Sequence, residues 1–156
     1  MALEIERKFL LLNDKWRDDV VRSERFMQGY LATDDLRAIR VRVAGDKAHI
    51  NIKHSDDGIS RLEYEYPVPL DDAEEMLNKV ALPTAIDKVR HYVPAGENLM
   101  WEIDEFFGAN ANLVVAEIEL ESVDQDYPKP EWLGEEVSQD ARYYNSNLSK
   151  KPFNTW

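Results

Sequence analysis

The chain has 156 residues, close to the usual size of one domain, and residues 1–156 are predicted to form a single domain. Acidic residues outnumber basic residues by 31 to 19, which gives a formal net charge of −12. That balance disfavours a general binder of nucleic acids or anionic membranes, because such proteins need a basic surface. The absence of cysteine excludes disulfides, zinc–thiolate sites and cysteine nucleophiles.

The sequence also lacks the usual export and membrane signals. Its N-terminal residues do not have the basic start and apolar stretch of a signal peptide. No run of about 18 apolar residues is present, so no segment is predicted to span a membrane. We therefore expect a cytoplasmic protein that binds neither membrane nor nucleic acid.

Strict alternation of apolar and polar residues dominates the chain, which is the period of a β-strand with two unlike faces. In chain order it predicts a strand over 2–11, a short helix within 14–20, and strands over 22–31, 36–44, 47–54 and 59–68. A helix over 71–80 follows, since acids occupy its first turn. Strands over 84–92, 98–106 and 113–121 come next, and a last helix lies within 138–148. Turn glycines at Gly45, Gly58 and Gly96 suit hairpins.

The alternation also sorts charge, because ionisable side chains share one face in seven of the eight predicted strands. In the first strand, for example, Glu4, Glu6 and Lys8 lie opposite Leu3 and Ile5. The bases on this face are Lys8, Arg40, Arg42, Lys53, Arg61, Lys88 and Arg90, and the acids are Glu4, Glu6, Glu63, Glu65, Glu102, Asp104, Glu117 and Glu119. The second strand, which ends in FMQGY at residues 26–30, is the less charged exception.

Two arrangements of this charged face are open. Antiparallel sheets commonly have one solvated face, and any single strand here fits that interpretation. Taken together, however, the strands segregate acids and bases into paired blocks. Eight strands tend to close, because open sheet edges are a liability, and a barrel of that size has a lumen just wide enough for side chains or one small ligand. Periodicity alone does not decide whether the charges point inward.

An inward charged face would suit a metal-bound phosphate chain. Arginine and lysine side chains recognise phosphate oxygens, and clustered carboxylates prefer hard divalent cations such as Mg²⁺ or Mn²⁺. Positioning and charge neutralisation then supply most of the catalysis, and water attacks the terminal phosphorus without a protein nucleophile. A barrel that binds polyphosphate or nucleotides without catalysis is the alternative from a different functional class.

Residues 4–8, EIERK, resemble the E-x-E-x-K signature of the CYTH superfamily, also called triphosphate tunnel metalloenzymes. The other blocks of that family occur in the expected order, as Arg40-x-Arg42, Lys53, Glu63-x-Glu65, Lys88-x-Arg90, Asp104 and Glu117-x-Glu119. Residues 132–137 and 140–143 also resemble the C-terminal region of small bacterial members. The resemblance covers nearly the whole chain and implies a mainly β (α+β) protein, namely a closed eight-stranded antiparallel β-barrel with a few peripheral helices.

The resemblance also implies roles for the charged residues. The main metal-binding carboxylates would be Glu4, Glu6, Glu117 and Glu119, while Glu63, Glu65 and Asp104 would bind a second metal or orient water. The phosphate-binding cations would be Lys8, Arg40, Arg42, Lys53, Lys88 and Arg90. Of these two sets, Glu4, Glu6, Lys8 and Lys88 are expected to be catalytic. Arg61 would either join the phosphate-binding cations or pair with a neighbouring glutamate.

The expected activity is hydrolysis of inorganic tripolyphosphate to pyrophosphate and phosphate, with Mg²⁺ or Mn²⁺ as cofactor. Members of the family include thiamine triphosphatases, RNA triphosphatases and class IV adenylate cyclases, and family membership does not fix the substrate. The alternatives are therefore a class IV adenylate cyclase, a thiamine triphosphatase or the non-catalytic barrel. The small chain has no added domain for an RNA end.

The apolar face of the strands raises the question of what covers it. Its residues include Leu3, Ile5, Ile50, Ile52, Leu62, Tyr64 and Tyr66. Either a homodimer or the packing of the predicted helices would bury this face.

Overall fold

The structure, a computed structural model, describes residues 3–55, 57 and 59–156. Eight antiparallel strands form the main body of this part of the chain. They are β1 (Leu3–Leu11), β2 (Arg22–Thr33), β3 (Arg37–Ala44), β4 (Lys47–Ser55), β5 (Ser60–Val68), β6 (Ile86–Pro94), β7 (Met100–Phe106) and β8 (Val114–Leu120). The eight predicted strands are confirmed, with ends that differ by no more than two residues. The predicted start at residue 2 and the turn glycine Gly58 lie outside the described residues.

The strands close into a barrel. The hydrogen-bonded order is β5-β4-β3-β2-β6-β7-β8-β1, and β1 pairs again with β5. That closing seam is short, because it joins only Leu3, Glu4 and Ile5 to Leu62, Arg61 and Ser60. Beyond the seam, the same edge of β1 pairs with an additional strand, β9 (Leu133–Glu136). The sequence did not predict β9, since four residues are too few for alternation to be visible.

The register places the predicted charged blocks on one face. Lys8 lies directly opposite Glu117 on β8, and Arg90 lies opposite Asp104 on β7. Directly opposed residues of antiparallel strands point to the same side of a sheet. Because the apolar side of these strands packs against the peripheral segments, the charged side encloses the lumen, as the barrel interpretation requires.

The main hydrophobic cluster therefore lies outside the barrel wall. Trp101 and Ile118 point outward and pack with Trp16 and Trp132, which come from the connections after β1 and before β9. Full burial of side chains of this size contributes about 1.5–3 kcal/mol each. This cluster thus holds the connecting segments against the barrel, while a second buried cluster that includes Phe106, directly opposite Lys88, lies on the lumen side of the strands.

Helices cover other parts of the wall. α1 (Leu70–Lys79) confirms the predicted helix over 71–80, and its Ala73 packs against Val41 and Ala48. α2 (Asn145–Lys150) contributes Leu148 to a cluster with Phe106, and a 3-10 turn over Ala141–Tyr143 precedes it. The predicted helix within 14–20 is a 3-10 helix, Lys15–Asp19. None of the helices in the described residues has the length and apolar character that a membrane crossing requires.

Part of the apolar outer face stays exposed in the single chain. Ile5 is buried in the core cluster. In contrast, Leu3, Ile52, Leu62, Tyr64 and Tyr66 are all exposed. The helices thus cover only part of this face, and the homodimer stays a prediction.

Candidate active site

A cavity of about 540 Å³ lies within the barrel. Twelve of the thirteen predicted site residues line it, namely Glu4, Glu6, Lys8, Arg40, Arg42, Lys53, Glu63, Glu65, Lys88, Arg90, Glu117 and Glu119. The thirteenth, Asp104, lies on the same face as Arg90 but is fully buried and does not line the cavity. The β2–β3 connection and the segment around the start of α2 also contribute to the lining. Six strands therefore bring these twelve residues, which are far apart in sequence, to one cavity.

Asp104 is the anchor of two cavity cations. Its Oδ1 accepts a hydrogen bond from Arg90 Nε at 2.8 Å, and its Oδ2 accepts bonds from Arg90 Nη2 at 3.0 Å and Lys88 Nζ at 2.7 Å. Burial alone would raise the pKa of Asp104, but Arg90 and Lys88 outweigh it and hold that pKa far below its usual value. Both oxygens are occupied by cations, so the geometry gives Asp104 a role in fixing Lys88 and Arg90.

Arg40 and Lys53 share a more loosely held carboxylate. Glu63 Oε1 lies 3.6 Å from Arg40 Nη2 and 3.5 Å from Lys53 Nζ. Asn51 Nδ2 donates to Glu63 at 2.9 Å and to Glu65 at 2.8 Å, which holds both carboxylates in place. The buried Nε of Arg40 has no hydrogen-bond acceptor among the described residues. An unsatisfied buried guanidinium donor is a ready position for a ligand oxygen.

Carboxylates from β1 and β5 meet next to Arg61. This arginine pairs with both Glu4 and Glu6, across the closing seam of the barrel. The structure thus supports the second of the two expectations for Arg61, pairing with a glutamate. Burial and a hydrogen bond with Glu63 raise the pKa of Glu4 to about 8. The negative charge that Glu4, Glu6 and Glu63 bring to this point therefore exceeds the positive charge of Arg61.

The remaining cations are buried and only partly neutralised. Burial lowers the pKa of Arg42 to about 9 and that of Lys88 to about 7. Lys8 donates to the carbonyl oxygen of Tyr143 at 3.1 Å and lies 3.4 Å from Glu117 Oε1. An anionic ligand would relieve the cost of burying these charges.

The carboxylates fit a divalent cation by their chemistry. In the described part of the chain, no group of three or more Asp, Glu, His or Cys side chains is arranged so that it could hold a metal ion. Burial nevertheless raises the pKa of Glu102 and Glu119, as it does for Glu4. Buried carboxylate oxygens that lack sufficient positive charge are the donors that Mg²⁺ and Mn²⁺ prefer.

Several site residues were not predicted from the sequence. Asn51 shares the parity of Lys53, so the alternation already placed it on the charged face. Gln28 is fully buried on the less charged strand β2, in a stretch (26–33) where no charged residue marks it. Tyr144 and Asn145 reach the cavity from the C-terminal segment, and sequence periodicity gives no signal for that approach.

Comparison with known proteins identifies the family. A sequence model described as the CYTH domain matches residues 2–151. The chain belongs to the CYTH family. The predicted family is therefore confirmed, and membership implies a divalent metal.

Relatives of this CYTH protein include inorganic triphosphatases that match over almost their whole length. The one from Acetivibrio thermocellus is 42% identical over 153 residues, which is 98% of this chain and 97% of the relative. The one from Nitrosomonas europaea is 34% identical over 149 residues, or 94% and 96% of the two chains.

Solved structures agree with the observed CYTH barrel. An inorganic triphosphatase structure superposes with a TM-score of 0.69 at 32% identity, covering 96% of this chain and 95% of that chain. A candidate adenylyl cyclase from Hippeastrum, described as having a dominant triphosphatase activity, gives a TM-score of 0.59 at 14% identity, and the match covers 76% of this chain and 80% of that chain. At that identity the likeness shows a shared fold alone.

Proposed function

We propose that this CYTH protein hydrolyses inorganic tripolyphosphate to pyrophosphate and phosphate in its barrel cavity, with Mg²⁺ or Mn²⁺ as cofactor. The observation that carries the proposal is the pairing of buried cations, including the unsatisfied Nε of Arg40, with carboxylates whose pKa burial raises. One half of the site suits phosphate oxygens, and the other suits a hard cation. Two full-length relatives that are inorganic triphosphatases support the same reaction.

The cations would bind and orient the phosphate chain. Arg40 and Lys53 lie on one side of the cavity, on adjacent strands β3 and β4. Lys88 and Arg90 lie on β6 and are held by Asp104. A chain held from two sides presents its terminal phosphorus in a fixed orientation, which is the main contribution of an enzyme to phosphoryl transfer.

The metal would lie among the carboxylates Glu4, Glu6, Glu117 and Glu119, with Glu63 and Glu65 next to them. When bound, a divalent cation neutralises phosphate charge and makes water more acidic. Lys8 and Lys88 would stabilise the negative charge that develops on the phosphate oxygens.

The experiment is a phosphate-release assay on the full chain with tripolyphosphate, ATP and thiamine triphosphate, each with EDTA, Mg²⁺ or Mn²⁺. We expect release from tripolyphosphate that EDTA abolishes and that is much slower with the other two substrates. Glu4→Gln should lose activity, because the amide removes one charged metal ligand. Glu97→Gln, an exposed residue outside the cavity, is the matched control.

Other outcomes would point to the alternatives. Faster turnover of thiamine triphosphate, or cyclic AMP and pyrophosphate from ATP, would contradict the proposed substrate. Saturable binding of tripolyphosphate without any product would contradict catalysis and identify a binding protein.

A further inference from the structure

The less charged strand β2, which has no charged side chain from Phe26 to Thr33, lies between two strands that carry phosphate-binding cations. Gln28 is directly opposite Arg42 on β3, and Phe26 is directly opposite Lys88 on β6. Directly opposed residues share a face, so both β2 side chains point toward the lumen. The strand that breaks the charge pattern is therefore placed where it contacts cations from both neighbours.

Gln28 and Asn145 form a chain of hydrogen bonds between these two cations. Gln28 Oε1 accepts from Arg42 Nε at 2.8 Å, and Gln28 Nε2 donates to Asn145 Oδ1 at 3.2 Å. The same Asn145 oxygen accepts from Lys88 Nζ at 3.1 Å. Arginine and lysine can only donate, so each amide must present its oxygen to its cation. The orientation of both amides is thus fixed by chemistry.

Arg42 differs from the other cations that line the cavity. Lys8, Arg61, Lys88 and Arg90 each have a carboxylate within 4.0 Å, as do Arg40 and Lys53. Among the described residues, no carboxylate lies within that distance of Arg42. Its neighbours are the amide of Gln28 and the ring of Phe26, whose centroid is 4.3 Å from Arg42 Cζ. Arg42 is therefore held in place by groups that leave its charge unneutralised.

We propose that Gln28 and Asn145 are positioning residues, a neutral amide relay that orients Arg42 and Lys88 toward the triphosphate without neutralising them. The proposal rests on the proposed function for the identity of the anion. A carboxylate at either position would still accept the hydrogen bonds of the cations, but it would also compete with phosphate for them. Neutrality and hydrogen bonding are thus separate requirements, and different substitutions test each.

The test measures kcat and KM for tripolyphosphate, and the Kd of tripolyphosphate by calorimetry, in wild type and relay variants. Gln28→Met keeps the volume and removes the hydrogen bonds, and we expect KM and Kd to rise about tenfold. Gln28→Glu adds a charge next to Arg42, and we expect a rise of about a hundredfold. In both variants kcat should change less than about threefold, because Gln28 contacts Arg42 directly whereas the catalytic Lys88 keeps its hydrogen bond to Asp104. Gln125→Met and Gln125→Glu, on the β8–β9 connection, are the matched controls.

A role in packing alone would give a different result, because Gln28→Met fills the same space and would leave KM and Kd unchanged. Equal effects of Met and Glu would overturn the requirement for neutrality. If a Gln28 variant fails to fold, Asn145→Asp and Asn145→Leu test the relay from α2, with the same order expected. If the wild-type protein binds tripolyphosphate without hydrolysing it, the proposed function is refuted. The Kd values of wild type and variants would still show whether Gln28 and Asn145 act as a relay.

Discussion

Asparagine in place of Asp104 removes one negative charge from the wall of the cavity and leaves the volume of the side chain unchanged. The two carboxylate oxygens accept three hydrogen bonds, from Lys88 Nζ at 2.7 Å and from Arg90 Nε and Nη2 at 2.8 and 3.0 Å. An amide nitrogen cannot accept, so in Asp104→Asn at least one buried cation faces another donor. We expect a large loss of stability.

The magnitude follows from the partners of each cation. Removing one partner of a buried ion pair costs about 3–5 kcal/mol. Arg90 also contacts Glu102 at 2.7 Å and Glu117 at 3.6 Å, so it keeps part of its neutralisation. We therefore expect a loss near the lower limit, about 3 kcal/mol. For a chain of this length that lowers Tm by about 6–12 °C.

Thermal unfolding followed by circular dichroism in metal-free buffer measures this loss. The matched control is Glu105→Gln, at the next position of β7 and on the opposite face. Glu105 pairs with Arg17 and His91, each at 3.0 Å, near the surface. Such exposed pairs contribute about 0–1 kcal/mol. Equal Tm losses in the two variants would refute the conclusion that Asp104 anchors the cations of the cavity.

Three further predictions concern other parts of the barrel. Arg40→Met should raise KM for tripolyphosphate about tenfold or more, because its unsatisfied Nε is a position for phosphate; an unchanged KM in the phosphate-release assay would contradict this. Gly134→Ala should lower the urea midpoint of unfolding by more than Gly45→Ala does. A Cβ at residue 134 would lie 2.7 Å from the carbonyl oxygen of Leu10 in β1, whereas a Cβ at residue 45 would meet open space, although φ is positive there. Arg61→Met should speed amide hydrogen exchange at the β1–β5 seam, because Glu4 loses its cation there; unchanged exchange would argue against it.

The alternation of apolar and polar residues was sufficient to predict the strands of the barrel wall, because the two faces of the strands differ in polarity. In β1, for example, the outward residues Ile5 and Phe9 meet the apolar core and the inward residues Glu4, Glu6 and Lys8 line the cavity, so the period survives along the strand. The order of the charged blocks, from Glu4 to Glu119, then indicated the family, which is confirmed. The sequence did not predict whether the charged face points inward, because that depends on which face of the strands packs against Trp16 and Trp132.

The remaining features depend on contacts that no local pattern encodes. β9 is too short to show a period, and Asn145 reaches the cavity through the path of the whole C-terminal segment. Gln28 is neutral, so a search for charge passes over it although its parity is correct. The choice between Mg²⁺ and Mn²⁺, the cytoplasmic location and the homodimer stay predictions.

The ion pairs of Asp104 are shorter than those of the cavity-lining residues Glu63 and Glu117. Asp104 contacts its cations at 2.7–3.0 Å, the range of strong charge-assisted hydrogen bonds, and it is buried and does not line the cavity. Glu63 and Glu117 line the cavity and approach Arg40, Lys53 and Lys8 only to 3.4–3.6 Å. Phosphate oxygens that bind these cations more closely would therefore displace Glu63 and Glu117 and leave Asp104 in place. The two released carboxylates belong to the set predicted to bind metal, so the entry of a triphosphate and the binding of a divalent cation would favour each other.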